Sequence, residues 1–318
     1  MRGQGGRAPA PISLDKVNLH RPIGRDVMDR IGMGAQAATA GQGRAGRRVV
    51  EAEIAYLETG AIDPVWCSHD DSRTYLPLNP VVMPIEDGRG APGAFSLDRE
   101  GLMLADAPTA VRDFLDLQTA GPRYRAELEE AVKAATGARK VVISPGWVHR
   151  RSEKHARFGE AGATYPGRQA HIDYSDNSGP ISARQMLGED PDAEALMAGR
   201  FAIFNLWRAL SPPPQDTPLC VCDATTVAAE DLVPAHIILG MSAEREFKLE
   251  TNQVQHNPAH RWVYFSNMTR DELLIFRGYD SDPARFRRVP HVAFDDPTFG
   301  EAAIPRESID IRCAAFFG

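Results

Sequence analysis

The chain has 318 residues, 43% hydrophobic and 25% charged, with a formal net charge of -7. Those values describe ordinary globular material, one large domain or two small ones, and exclude a disordered or bilayer-spanning chain. The acidic balance argues against a nucleic-acid partner, because phosphate binding needs a concentrated basic face. No apolar run approaches the roughly 20 residues that cross a membrane, so no membrane partner is expected either. The opening "MRGQGGRAPAPISL" has no apolar centre, so no secretory leader is expected there. Four cysteines, Cys67, Cys220, Cys222 and Cys313, are too few for a disulfide framework at this length, and a cytoplasmic setting is expected. Cys220 and Cys222 would point the same way from a strand, but no second pair completes a zinc site, so they read as buried thiols.

Residues 1–48 are rich in Gly, Ala and Arg and read as a flexible or loosely docked arm. From "VVEAEIAYLE" onward the chain is patterned, and residues 49–318 are expected to form a single domain. "GAFSLDREGLMLADAPTAVRDFLD" predicts a turn, a short strand and a helix start near Thr109. "RYRAELEEAVKAATGA" is the clearest helix: Tyr124, Leu128, Val132 and Ala135 share a stripe, and Gly137 stops it. Then come "ARKVVISP", "RFAIFNLWRAL", "TPLCVCDA", "AHIILGM", "HRWVYFSN", "ELLIFRGYD" and "SIDIRCAAFF", short apolar or alternating runs punctuated by Pro, Gly, Asn and Asp. Such runs predict an antiparallel sandwich or barrel. No phosphate-binding glycine loop follows any of them. The expected class is mainly β with helices (α+β): a double-stranded β-helix, or jelly roll, over about residues 140–318. A helical and extended N-terminal layer is expected to pack against it.

"GRQAHIDYSD" carries His171 and Asp173 two positions apart. On a strand, positions i and i+2 share a face with Cα atoms about 6.5 to 7 Å apart, so both side chains can reach one metal ion. Imidazole plus carboxylate suits a first-row divalent ion, and one more imidazole completes the facial triad of non-haem Fe(II) oxygenases. The C-terminal "LLIFRGYDSDPARFRRVPHVAFDDPTFGEAAIPRESIDIRCAAFFG" offers His291, then Arg306 and Ser308 opening the last strand. His260, in "HRWVYF", is a rival third ligand. "HNPAH" spaces His256 and His260 as a helical zinc pair would, but Pro258 disfavours a helix, and a loop with two solvated histidines is expected.

The order HxD, distant His, then Arg-x-Ser resembles the iron(II)/2-oxoglutarate-dependent dioxygenases. "FSLDREGLML", "YRAELEEAVKAATGARKVVI", "AHIDYS", "FNLWRAL", "LCVCDATTV", "HRWVYFSNMTRDELLIFRGYDSD" and "VPHVAFDDP" resemble, more narrowly, one family. It contains the AsaB-type hydroxylase/desaturases, the fungal gibberellin desaturase and the cephamycin 7α-methoxylation protein. The likeness runs from roughly residue 50 to the end, and the loop "SDNSGPISAR" departs from it. It implies Fe(II), 2-oxoglutarate and dioxygen, with His171, Asp173 and His291 as the metal and catalytic residues. It also implies that Arg306 and Ser308 hold the far carboxylate of 2-oxoglutarate. A planar guanidinium with paired donors suits that carboxylate, and a hydroxyl two residues on faces the same way.

Arg312 is the fallback for the clamp, six residues along the same strand. Asn205 is a candidate cosubstrate contact and shares a strand face with Trp207, while Arg208 projects oppositely. Arg184, Tyr174, Trp207, Arg208 and His149 are candidate substrate contacts. The expected activity is hydroxylation, desaturation or cyclisation of a small organic molecule in natural-product metabolism. A non-catalytic accessory subunit and a metal-binding jelly roll without dioxygen chemistry are the rivals. A homodimer is compatible with the sequence, which carries no reading of oligomeric state.

Overall fold

Segments whose side chains alternate at period two become strands, because a strand in either of two stacked sheets buries one face against the facing sheet. The computed structural model describes residues 40–42, 48–89, 93–159, 163–240, 246–285 and 288–318. Most of the arm expected at 1–48 lies outside the described residues. In chain order come β1 (Ala40–Gln42), β2 (Arg48–Leu57), β3 (Val65–Cys67), β4 (Leu78–Asp87) and β5 (Leu102–Asp106). Next are α1 (Leu117–Thr136), β6 (Lys140–Ile143), β7 (Val148–Arg151), β8 (His171–Ile172), α2 (Ser178–Leu187) and α3 (Ala193–Ala198). Then follow β9 (Arg200–Ala209), β10 (Leu219–Cys222), β11 (Leu232–Gly240), β12 (Glu246–Val254) and β13 (Trp262–Tyr264). The last are β14 (Glu272–Asp280), β15 (His291–Ala293) and β16 (Glu307–Phe317).

Among the described residues the strands form a ten-stranded sheet, β1-β2-β4-β13-β10-β15-β8-β12-β11-β3, and a second sheet, β5-β14-β9-β16-β6, with β7 also paired to β16. The sheets curl around one another as a double-stranded β-helix. Strands preceding residue 140 complete both: β4 runs parallel to β13, and β5 pairs antiparallel with β14. Among the described residues the N-terminal layer is therefore mostly extended, with α1 as its long helix. No helix among the described residues is long and apolar enough to cross a membrane.

Helix α1 covers the outer face of the smaller sheet. Tyr124, Leu128 and Val132 form its buried stripe and pack on Phe204, Leu206, Ile309, Ile311 and Cys313. Burying each such side chain stabilises by roughly 1.5–3 kcal/mol. Gly137 ends the helix in the left-handed conformation (φ 69°), its N–H donating to the Lys133 carbonyl. The helix begins at Leu117, not near Thr109. Asp116 is the cap, its Oδ1 accepting from the N–H groups of Gln118 (3.1 Å) and Thr119 (3.2 Å). Upstream, Val111 and Phe114 stay outside the helix and insert into the same core, and Thr109 Oγ1 donates to Glu127 Oε2 at 2.6 Å. Tertiary burial outweighs helix propensity there.

Between the sheets, Leu219, Val221, Val263, Leu274, Phe276 and Trp207 make the inner core. Cys220 and Cys222 face the other way, buried with Trp262, Tyr264 and Phe294. All four cysteines are free and buried, as the thiol reading expects.

Candidate metal centre

His171 on β8 and His291 on β15 are directly opposite partners across two neighbouring antiparallel strands. Opposed residues have Cβ atoms about 4.5–5.5 Å apart, so the two imidazoles must meet; their ring centroids are 4.2 Å apart. Asp173, just beyond β8, adds a carboxylate whose Oδ1 lies 3.6 Å from His171 Nε2. One ligand atom from each of the three lies within 4.8 Å of the others. His171 Nδ1 is 2.8 Å from the Gln169 carbonyl oxygen, which leaves the Nε2 lone pair aimed inward. Such an outer hydrogen bond is how metal-ligating histidines are oriented.

Electrostatics prepare the same three groups for a cation. Burial first, then the nearby His171, pushes the His291 imidazole down to about 3, so it stays neutral with its lone pair available. Burial pushes the Asp173 carboxyl up, yet Arg312 and the two imidazoles outweigh it and hold the group well below the usual carboxylate range. Asp173 Oδ2 accepts from Asn205 Nδ2 (2.6 Å) and from Arg312 Nε (3.1 Å) and Nη2 (2.8 Å), which leaves Oδ1 for the ion. The fallback arginine and the candidate cosubstrate asparagine thus both hold the carboxylate. Gly278 permits this packing, since a Cβ there would lie 3.0 Å from Asn205 Oδ1 and from Tyr174 Cδ2.

A narrow cavity opens beside the histidines, lined by Arg150, Trp207, Phe276, Arg306 and Asp310 among others. Arg306 lines it and is buried, as is Ser308 two residues on. Arg306 Nη1 donates to the Thr217 carbonyl at 2.6 Å, but Arg306 Nε and Ser308 Oγ find no protein partner. Burial, reinforced by the neighbouring guanidinium groups of Arg150 and Arg168, lowers Arg306 to about 9. Unsatisfied buried donors in a cluster of cations are costly unless an anion completes them. A dicarboxylate with one end at the metal meets that need, so the donor set fits both iron and 2-oxoglutarate.

The remaining candidates divide. Trp207 lines the cavity, with Arg306 stacked 5.5 Å from its ring centre. Arg208 points to the other face, its Nε donating to Tyr124 Oη at 3.0 Å beneath α1. His149 also faces away, with Nε2 2.8 Å from Glu307 Oε1, and its neighbour Arg150 takes the inward place. Tyr174 is buried beside Phe201, Tyr279 and Phe316 and does not line the cavity. Arg184 on α2 is tied to the Gly188 carbonyl at 2.8 Å and lies near Glu194. The histidine pair in "HNPAH" is in a loop as expected, but His260 is buried, 3.0 Å from Asp231 Oδ2, and is not a solvated group.

Asp310 and Arg150 went unread in the sequence, although for Asp310 a signal was present. Arg306, Ser308, Asp310 and Arg312 alternate with Ile309, Ile311 and Cys313, which face α1. A polar row on a strand buried on both faces marks a ligand site.

A family model described as "Oxidoreductase/YMDC permease-like domain" matches residues 62–316. The hydroxylase/desaturase efuI of Hormonema carpetanum is 32% identical over 262 residues, covering 77% of this chain and 86% of its own length. The Fe(II)/2-oxoglutarate-dependent dioxygenase nvfI of Aspergillus novofumigatus is 34% identical over 197 residues, 61% of this chain and 66% of that one. This chain belongs to the hydroxylase/desaturase family of Fe(II)/2-oxoglutarate-dependent dioxygenases. A solved structure of the iron and alpha-ketoglutarate-dependent endoperoxidase NvfI superposes on this dioxygenase with a TM-score of 0.72 and 27% identity, over 85% of this chain and 98% of that one. Iron(II) and 2-oxoglutarate are thus the cofactors of this dioxygenase, as the resemblance implies.

Proposed function

We propose that His171, Asp173 and His291 hold the ferrous ion, that Arg306 and Ser308 hold the far carboxylate of 2-oxoglutarate, and that Arg150 adds its field to that pocket. When bound, the two cofactors supply oxidising power by coupling dioxygen reduction to conversion of the 2-oxo acid into succinate and carbon dioxide. The protein's share is placement. His171 and His291 present neutral nitrogens, and Asp173 is fixed by Asn205 and Arg312 so that one oxygen remains for the ion. Trp207 and Phe276 wall the cavity, and the Phe276 ring lies 4.8 Å from that of His291, which keeps water from the reacting face.

The substrate class that follows is a small organic molecule oxidised at carbon by hydroxylation, desaturation or ring formation. The observation carrying this reading is the buried, partnerless Arg306 Nε in a cavity that Arg306 shares with His171 and His291, with the equally partnerless Ser308 Oγ two residues further along the chain. An accessory subunit has no need of that pairing. Residues 49–318 are proposed to fold as one domain, since strands before and after residue 140 share both sheets. The free, buried cysteines fit a reducing compartment, and a cytoplasmic setting is proposed.

The test is anaerobic addition of Fe(II) and 2-oxoglutarate to the purified full chain, watching for the weak visible charge-transfer band of the chelate. Admission of oxygen should then yield succinate. A chain that binds iron but gives neither band nor succinate would overturn the reading in favour of a jelly roll without oxygen chemistry.

A further inference from the structure

Away from the triad, a second group of metal-binding side chains converges at the edge of the larger sheet. Cys67 ends β3, which runs parallel to β11 and sets Cys67 across from Ile238. Strand β11 pairs antiparallel with β12, and its Gly240 faces Glu246. His69 lies in the turn two residues after Cys67. The three side chains meet: Cys67 Sγ lies 3.6 Å from His69 Nδ1 and 4.0 Å from Nε2, and His69 Nε2 lies 3.1 Å from Glu246 Oε1. Among the described residues, this group and the triad are the two sets of three potential ligands compact enough for one ion.

The distances can be set against what an ion requires. Tetrahedral zinc, with about 2.3 Å to sulfur and about 2.0 Å to nitrogen and oxygen, needs ligand atoms roughly 3.3–3.6 Å apart. The Sγ–Nε2 and Nε2–Oε1 separations, 4.0 and 3.1 Å, stand on either side of that range and need shifts of a few tenths of an ångström. The outer contacts are in place too. Glu246 Oε2 accepts from Arg73 Nη2 at 3.2 Å, a hold that survives if Oε1 turns from Arg73 to the metal. The Cys67 N–H donates to Thr74 Oγ1 at 3.0 Å and steadies the turn. Cys67 is buried, whereas the side chains of His69 and Glu246 remain 15% and 24% exposed, so an ion can enter from their side. Thiolate with imidazole selects a borderline-soft ion over magnesium or calcium, and thiolate plus carboxylate neutralise two positive charges.

We propose that Cys67, His69 and Glu246 form a zinc site, completed by water, that clips the turn after β3 to the start of β12. It is independent of the triad: β12 meets β8 at Gln253, seven residues from Glu246 and about 23 Å along the strand.

Cobalt(II) distinguishes the two sites, because the triad has only nitrogen and oxygen donors and cannot produce a thiolate-to-cobalt band in the near ultraviolet. Titration of the chelator-stripped full chain should raise that band to the same final amplitude in the parent and in His171→Ala, saturating at one equivalent in the variant, where the triad no longer competes for cobalt. Cys67→Ser should abolish it, and His69→Asn should weaken the binding it reports by at least about tenfold. In the His171→Ala background, zinc should raise Tm. Should Cys67→Ser fail to fold, Glu246→Gln, altered at a partly exposed position, is expected to weaken binding as His69→Asn does. No band at saturating cobalt, or an undiminished band in Cys67→Ser, would overturn the proposal. Neither outcome touches the iron assignment.

Discussion

Replacing Ser308 by alanine should push two measurable quantities in opposite directions. Ser308 sits on β16 opposite Arg150 of β7, fully buried, with no partner for its Oγ. An unsatisfied buried hydroxyl costs roughly 1–3 kcal/mol, so its removal, less the small void left behind, should stabilise the cosubstrate-free protein by about 1 kcal/mol. That is a Tm rise of about 2–4 °C. In the proposed clamp the same hydroxyl would donate to the 2-oxoglutarate carboxylate, a bond of roughly 1.5–3 kcal/mol, so its loss should weaken cosubstrate binding by about 10- to 150-fold. Thermal unfolding of the metal-loaded protein, with and without 2-oxoglutarate, reads the first. Anaerobic calorimetric titration reads the second. A destabilised free protein with unchanged 2-oxoglutarate affinity would mean the hydroxyl is structural and the clamp lies elsewhere.

Arg306, just before β16, and Arg312 within it should separate cleanly. Arg306→Gln should weaken 2-oxoglutarate by about 100-fold, with Arg150 and Arg168 limiting the loss, and leave metal affinity within a few-fold; the same titrations decide it. Arg312→Gln strips the shared partner from Asp173 and Asp310, 2.8 and 2.9 Å away, and should destabilise the metal-free protein by about 3 kcal/mol in denaturant unfolding, with added metal restoring part. Glu307 is held at about 2, against an ordinary 4.5, first by His149 and then, against burial, by Arg151. That depressed value contributes stability present in full above about pH 4.5 and lost as pH falls toward 2; partial exposure trims it to about 2 kcal/mol. Urea midpoints of Glu307→Gln and the parent should therefore differ at pH 7 and converge by pH 2. Gly167→Ala would place a Cβ 3.3 Å from His171 Cε1, and a metal titration should show affinity about tenfold weaker with overall stability within about 1 kcal/mol. Undisturbed metal binding would show that Gly167 does not frame the histidine.

Strand positions were legible because alternation is a local property. "ELLIFRGYD" became β14 over its full length, and "SIDIRCAAFF" became nearly all of β16. The α1 stripe and its Gly137 stop were equally local. The helix start was not: Thr109 and Asp116 are both competent caps, and the choice fell to where Val111 and Phe114 could be buried. Strand β12, "EFKLETNQV", escaped notice because its first half is polar and half exposed, and it is a strand by pairing with β11 and β8.

By itself the sequence determined the candidate ligand types and their order along the chain: an HxD pair, a later histidine, then Arg306 and Ser308 as an alternating polar pair. Residue type and spacing carry that much, since period two assigns a side chain to a strand face without reference to any other segment. Only the tertiary structure decided which arginine faces the cavity and which holds Asp173, and that Arg150 turns inward while His149 turns out. It also brought Glu246 to Cys67 and His69. Those outcomes depend on cross-strand register, and register is set by burial of whole sheet faces that no single segment encodes.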